Sequence, residues 1–576
     1  MVKEKIKLLR TGGKKAALPG REAERTEQDK ESIPAENAEN LQEQSKESGL
    51  TQTTPKEPDQ SREDTPEQSA ENRPDQSEEP GEIRAQKASA VKKKPGKAKT
   101  KSRKKKKAHK NREILLVSYF FVFLFLGMMT YICVYVYQNQ EVMINNSYNA
   151  GQQILVAQNR RGSIMARGGE VLAETDTRPD GSEVRNYPYD SLFSHVVGYS
   201  TKGKTGIEEK MNYYLIQSNV PINEKMDNGM KERKNPGDNV FTTLDVKMQE
   251  AANKALGVYE GAIVATNPKT GEVLAMVSKP DFNPNEISLI WEELLKDDES
   301  GVLLNRAAQG LYPPGSTFKI VTALEYIHEN PSTYTNYGFT CNGSIKIDGS
   351  RIQCYHGTKH GKVTFERAFA KSCNASFANL GTKVDWNSFD QTLDGLLFGK
   401  KLPFDLESAV STVKAEPGMT TEEQMQTAIG QGETLVSPLH MNLITCAIAN
   451  DGVLQYPYVV DHVENSNGAV IKRFSSSGST KMMSQQEAYI LQGLMREVVE
   501  SGTATKLLDQ PYTAAGKTGS AEYNSARDSH AWFTGFAPVE DPEICVTVII
   551  EGAGSGGDYA VPMARRVFDA YFNVGE

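Results

Sequence analysis

Cysteine is scarce: 6 in 576 residues, too few for a disulfide framework. Other absences are local. From Arg21 to Glu82 aromatic and branched apolar residues are almost missing, so this stretch cannot bury enough surface to offset backbone entropy and reads as disordered. From Lys92 to Arg112 there is no acid among 13 lysines and arginines, and from Ile114 to Tyr137 there is no charge at all. Twenty-four uncharged residues rise about 36 Å as a helix, enough to cross a hydrocarbon core of ~30 Å. The basic run before them keeps the N-terminus cytoplasmic and lies against anionic lipid headgroups. No small-x-small pattern follows Tyr137, so the span reads as an uncleaved anchor.

Charge excludes a further class. Residues 1–113 carry 28 Lys and Arg against 21 Asp and Glu, whereas the whole chain has a net charge of −8. The exported bulk is therefore acidic, and a surface devoted to nucleic acid is excluded. The length is also too great for one core and implies two or more domains.

Outside the membrane, Gln138 to Val240 is mixed and polar, with turn signals at Arg167-Gly168-Gly169 and Pro179-Asp180-Gly181. Gly261 to Ser278 reads as a β-hairpin turning at Pro268-Lys-Thr-Gly271. His530 to Ala537 and Ile544 to Ile550 form a second hairpin pattern. The pattern between them is mainly helical; Ser437-Pro438 caps a helix over Leu439 to Ala449, and Val561 to Phe572 closes the chain as an amphipathic stretch. Strands from both ends around a helical middle imply one antiparallel sheet covered by helices.

Three short motifs carry chemistry. Ser316-Thr-Phe-Lys319 places a lysine one helical turn from a serine, and a neutral lysine can take a serine proton. Alone the pattern is weak, since Ser102 to Lys105 matches it inside the basic tail. Ser372-Cys373-Asn374 also has a decoy, at Ser147 to Asn149. Lys-Thr-Gly occurs at 204–206, at 269–271 and at 517–519, where it continues into Ser520. The order Ser-x-x-Lys, Ser-x-Asn, Lys-Thr-Gly within one exported region is what gives them weight.

That ordered trio resembles the signature of penicillin-binding proteins and serine β-lactamases. Thr242 to Asp245, Gly261 to Asn285, Pro313 to Lys319, His360-Gly361, Gly430-Gln-Gly432, Ser437 to His440 and Gly516 to Glu522 resemble the transpeptidase domain of class B penicillin-binding proteins. Arg161-Gly162-Ser-Ile164, Arg167, Gly169 and Gly203 to Glu208 resemble that class's membrane-proximal pedestal. Ala166 and Gly168 stand where the family usually has Asp and Asn, and Ser520 replaces a commoner Thr. The resemblance covers about residues 155 to 576. It implies an α/β (α+β) transpeptidase domain over 241–576, with an antiparallel sheet flanked by helices, and a mixed α/β pedestal over 138–240. Before these come one transmembrane helix over 114–137 and a disordered, acidic-then-basic cytoplasmic tail over 1–113.

The resemblance also implies roles. Ser316 attacks a terminal D-Ala-D-Ala carbonyl, and Lys319, its pKa depressed by burial and by the charge of Lys517, is the base. Ser372 relays a proton, and Asn374 holds Lys319 and the donor amide. Lys517 adds positive potential, Thr518, Gly519 and Ser520 bind substrate, and the backbone N–H groups of Ser316 and Ser520 take the oxyanion. Implied partners are stem peptides, β-lactams and a SEDS-type glycan polymerase. The activity is wall cross-linking in cell shape or division, with no cofactor for catalysis.

Cys341, Cys354, His360 and Cys373 offer three thiolates and an imidazole, a structural zinc set. A Cys341–Cys354 disulfide, an ordinary buried Cys373 thiol, or a mere turn at His360-Gly361 account for the same residues, and His356 is close enough to replace His360. Cys133, Cys446 and Cys545 read as packing residues. The alternatives to a synthase are a D,D-carboxypeptidase or β-lactamase-type hydrolase and a non-catalytic β-lactam sensor or scaffold. A bifunctional class A enzyme is excluded because the hundred-residue linker has no room for a glycosyl-transferring domain.

Overall fold

The computed structural model describes residues 105–145, 151–297, 300–522 and 528–574. Apart from its end, the tail expected over 1–113 lies outside them. Helix α1 (Lys105–Asn145) extends the uncharged run at both ends; its segment Arg112–Gln140 is long and apolar enough to cross a membrane. Tyr131, Tyr135 and Tyr137 are exposed near the C-terminal end of that segment, where aromatic side chains favour the membrane–water boundary.

Helix α2 (Gly151–Gln158) packs against α1 and leads into β1 (Asn159–Arg160). Next come β2 (Ile164–Met165), β3 (Val171–Thr177), β4 (Glu183–Asn186), α3 (Ile222–Met230), β5 (Asn235–Pro236) and β6 (Asn239–Thr242). β1 pairs in parallel with β5, and β2 in parallel with β6. Strands Val460–Glu464 and Val470–Arg473, from far along the chain, extend this sheet beyond β6, so that six strands form it. A boundary placed between 240 and 241 therefore runs through β6, and the pedestal borrows strands from the catalytic half.

Glu208 ties the pedestal together. Its carboxylate is fully buried and accepts from Arg161 Nε at 2.7 Å and from Arg185 Nε at 2.7 Å. Burial alone pushes this carboxyl up, but the two guanidinium charges outweigh it and hold the group below its usual range. The turn at Ala166 to Gly169 closes without the usual Asp and Asn: Gly169 N donates to Ala166 O, and Ala166 N to Glu170 O.

The catalytic half begins with α4 (Val246–Leu256), whose N-cap Asp245 accepts from Met248 N. It is followed by β7 (Gly261–Thr266), β8 (Val273–Lys279), α5 (Lys319–Glu329), α6 (Asn374–Gly381), α7 (Pro438–Ala449) and α8 (Gln485–Glu500). β9 (Ala515–Ala521), β10 (His530–Ala537), β11 (Ile544–Ile550) and α9 (Val561–Tyr571) complete it. The second Lys-Thr-Gly copy is the turn between β7 and β8. Five antiparallel strands run in the order β9-β10-β11-β7-β8, so the first hairpin joins the last at Ile263 opposite Val548. β7, β10 and β11 are buried at every position, the pattern of a sheet covered on both faces. α4 and α9 pack together on this sheet, while α7 is buried at all twelve positions between sheet and α8. Ser437 caps α7 by accepting from His440 N, with Pro438 as its first residue, as the sequence implies.

Glu208→Ala strands two buried guanidinium groups. It is expected to cost about 3 kcal/mol and to lower the melting temperature of the chain. Lys254→Ala, which breaks an exposed pair with Glu250, is expected to leave that temperature almost unchanged.

Candidate active site

Pro313 and Pro314 break the chain, and Gly315–Phe318 forms a 3-10 turn that runs into α5 at Lys319. With three residues per turn, Ser316 and Lys319 lie almost in line, closer to eclipsed than a purely α-helical start would place them. Gly315 has φ of +52°, and a Cβ there would meet Ser520 O at 2.8 Å, so only glycine lets the turn lie this close to β9. Gly430, at φ +72°, accepts from Gly315 N at 2.9 Å and has no room for a side chain against Gly315 O. The Gly430-Gln-Gly432 motif thus braces the turn from behind.

Lys319 is completely buried. Its Nζ donates to Ser372 O at 2.8 Å, to Asn374 Oδ1 at 2.7 Å and to Ser372 Oγ at 3.3 Å. Lys517, on β9 and equally buried, reaches Ser372 Oγ from the other side at 3.0 Å. One hydroxyl therefore lies between two lysines. Burial pushes Lys319 down to about 8. Burial, followed by the charge of Lys319, pushes Lys517 well below its ordinary value. Two cations this close repel each other, so each favours the neutral form of the other.

Ser372 adopts φ of +54°, a left-handed conformation costly for a residue with a side chain. It is held there by Ser372 N donating to Phe369 O and Cys373 N to Ala368 O, immediately before Asn374 opens α6. Asn374 Nδ2 donates in turn to Gln353 O at 3.0 Å. Ser316 is half-buried on the turn that leads into Lys319. Thr518 follows Lys517 on β9, Gly519 pairs with Trp532, and Ser520 Oγ accepts from Gly556 N at 3.3 Å.

Cys373, between Ser372 and Asn374, belongs to a second group of side chains. Its Sγ is 3.8 Å from Cys354 Sγ, which is 3.6 Å from Cys341 Sγ, and Cys341 Sγ is 3.5 Å from His360 Nδ1. The four ligand atoms all lie within 4.8 Å of one another, and the thiols are unbonded. Zinc–sulfur bonds of ~2.3 Å in a tetrahedron separate their sulfurs by about 3.8 Å, so the spacing fits zinc. Gly343 N and Ala375 N both point hydrogens at the sulfurs of this set. His356 lies outside the group, exposed and packed edge-on against Tyr355.

Two site residues escape the sequence motifs. Thr503 Oγ1 hydrogen-bonds Thr518 Oγ1, although no local pattern marks it. Trp532 is completely buried, and its Nε1 donates to Pro313 O at 3.0 Å, pinning the chain just before Ser316. Its ring also lies edge-on to Tyr312, whose hydroxyl donates to Glu551. Trp532→Phe keeps an aromatic ring, though a smaller one, and loses the N–H. It is expected to slow β-lactam acylation of Ser316 about tenfold, equivalent to ~1.4 kcal/mol, in protein whose circular dichroism is unchanged.

The family model for the penicillin-binding protein transpeptidase domain matches residues 261–569, and that for the penicillin-binding protein A dimerisation domain matches residues 161–240. The peptidoglycan D,D-transpeptidase PbpA of Mycolicibacterium smegmatis is 31% identical over 72% of this chain and 90% of its own length. The peptidoglycan D,D-transpeptidase MrdA of Acinetobacter baumannii is 29% identical over 67% of this chain and 65% of its own length. The penicillin G acyl-enzyme of penicillin-binding protein A from Mycobacterium tuberculosis superposes with a TM-score of 0.66 at 29% identity, covering 72% of this chain and 100% of that one. With a matching catalytic domain set on a matching pedestal, the chain belongs to the class B penicillin-binding proteins and is an enzyme of their serine-type D,D-transpeptidase kind.

Proposed function

We propose that the chain is a membrane-anchored wall synthase that cross-links stem peptides ending in D-Ala-D-Ala through an acyl-enzyme on Ser316, and that β-lactams acylate the same serine. The observation that carries this reading is the buried chain Lys319–Ser372–Lys517, in which one hydroxyl hydrogen-bonds two lysines of depressed pKa. In this reading α1 is the span, with the N-terminus cytoplasmic and the catalytic half outside. The glycan strands come from a SEDS-type polymerase.

Ser316 Oγ bonds to the carbonyl carbon of the penultimate D-Ala while its proton passes to neutral Lys319. The oxyanion rests on the backbone N–H groups of Ser316 and Ser520, and the carboxylate of the leaving D-Ala lies at Thr518 and Ser520. As the C–N bond breaks, the proton returns through Ser372 to the departing amine, and free D-Ala leaves. An amine from a neighbouring stem peptide then attacks the ester. A new C–N bond forms, the C–Oγ bond breaks, and Ser316 regains its proton. The D-Ala bond supplies the driving force, so the reaction needs no nucleotide outside the membrane.

Cys341, Cys354, His360 and Cys373 would hold a structural zinc, which supplies a fixed tetrahedral anchor and no reacting group. What these residues do for the site is to hold Cys373, so that Ser372 and Asn374 on either side of it stay aimed at Lys319.

Intact-mass measurement of the full chain with penicillin is expected to show an adduct persisting for minutes, absent from Ser316→Ala. Rapid loss of the adduct would put a hydrolase first. A stable adduct with no cross-linking of lipid-linked peptidoglycan would indicate a sensor. Because only the neutral amine accepts the Ser316 proton, the acylation rate is expected to rise about tenfold per pH unit below Lys319's value, about 8, and to level off above it. Protein prepared without chelator is expected to carry about one equivalent of zinc by elemental analysis. Cys354→Ser is expected to lose the metal and to slow acylation; an unchanged acylation rate in metal-free protein would remove the positioning role.

A further inference from the structure

α3 has its amphipathy reversed. Glu224, Asp227 and Asn228 form the half-buried face turned toward the protein, while Ile222, Met226 and Met230 are 78%, 64% and 78% exposed. The spacing i, i+4, i+8 places these three apolar side chains in one stripe. The inner face is held by polar contacts: Asn467 Nδ2 donates to Glu224 Oε2 at 2.9 Å, and Asn228 Nδ2 to Asn235 Oδ1 at 3.3 Å. Such a helix presents its apolar face outward by construction, since no residue in it is buried.

Its place in the fold points to what covers that stripe. β5 follows α3 after residues 231–234 and is paired with β1, which α2 joins to the foot of α1. Asn235 Nδ2 donates to Asn159 Oδ1, and Asn212 Nδ2 to Asn145 Oδ1, so the same end of the pedestal is tied twice to the residues leaving α1. Lys225 lies on the helix, and Lys231, Arg233 and Lys234 follow it, all exposed; Lys231 pairs with Asp227 and Lys234 with Glu183, and Glu232 is exposed among them, so Lys225 and Arg233 are the cations that face outward beside the stripe. Apolar side chains flanked by cations suit the boundary of an anionic bilayer, where lysine and arginine stems reach headgroups. Nine residues make a helix about 13 Å long. That platform is far short of the ~800 Å² per partner of a stable protein interface, whereas lipid needs no complementary shape.

We infer that α3 is a second membrane contact: Ile222, Met226 and Met230 enter the outer face of the bilayer that α1 spans, and the flanking cations meet anionic headgroups. The inference rests on α1 being the membrane anchor. Two contact points, one spanning and one lying flat, fix the tilt of the pedestal, and with it the height of the catalytic half above the membrane.

The test uses the full chain in nanodiscs of phosphatidylglycerol and phosphatidylcholine, with p-benzoylphenylalanine placed singly at positions 137, 226 and 489. Tyr137 is the positive control on α1, and Tyr489, exposed on α8, is the negative one. After irradiation, lipid adducts at 226 are expected to approach those at 137 and to exceed those at 489 severalfold. Ile222→Glu with Met230→Glu is expected to reduce the adduct at 226 severalfold, with penicillin acylation unchanged, as is replacing all phosphatidylglycerol by phosphatidylcholine. Labelling at 137 with no excess at 226 over 489 would overturn the proposal. So would exclusive capture at 226 of a second copy or, in cells, of another protein. Failure at 137 would overturn the anchor reading and the proposal with it.

Discussion

A single serine hydroxyl held between two buried lysines sets the demands on the rest of this structure. Ammonium groups leave water only when hydrogen bonds replace their hydration, and even then burial drives them toward the neutral form. Lys319 receives a backbone carbonyl, an amide oxygen and a hydroxyl; Lys517 receives the same hydroxyl and the carbonyl of Thr518. Phe377 and Phe369 offer ring faces to the two groups. These partners come from the turn before α6, the start of α6 and an edge strand, so no one segment can assemble them.

The strain at Ser372 follows from that geometry. To place its hydroxyl and its carbonyl both within reach of Lys319, the residue takes a left-handed turn that only surrounding structure can enforce. The two sides of the Ser372-Cys373-Asn374 tripeptide divide the work. One side meets the lysines, while the other descends into the thiol and imidazole group beneath, where Cys354 Sγ also accepts from Ala375 N. A site that must store strain is thus underlain by the tightest cluster of metal-type ligands among the described residues.

The pedestal is not a separate bead on the chain. Its sheet takes two strands from the middle of the catalytic half, and Val460–Glu464 pairs directly with β6. Glu208 neutralises two arginines inside it, and those arginines lie on strands or loops that lead to β2 and β4. Backbone pairing therefore ties the pedestal sheet directly to the catalytic half.

Local chemistry made part of this legible in the sequence. An uncharged run needs no partner to declare a span, Ser437-Pro438 caps its own helix, and Ser316 and Lys319 are three residues apart, so their proximity follows from one turn of chain. The order of the three motifs, read through family resemblance, singled out Ser372, Asn374 and Lys517, which hydrogen bonds join to Lys319. Other features depended on contacts that no spacing encodes. Trp532 reaches Pro313 across more than two hundred residues, Thr503 finds Thr518 from the end of a helix, and residues 460–473 leave their neighbours to finish the pedestal sheet. The sequence by itself determined which groups are chemically capable, the first and last hairpins, the capped helix and the long uncharged helix, while strands such as Val460–Glu464 lie in a stretch that reads as mainly helical. Only the tertiary structure decided that both lysines lose their water and which apolar face stays uncovered, because both depend on burial, a property of the packed chain and not of any residue in it.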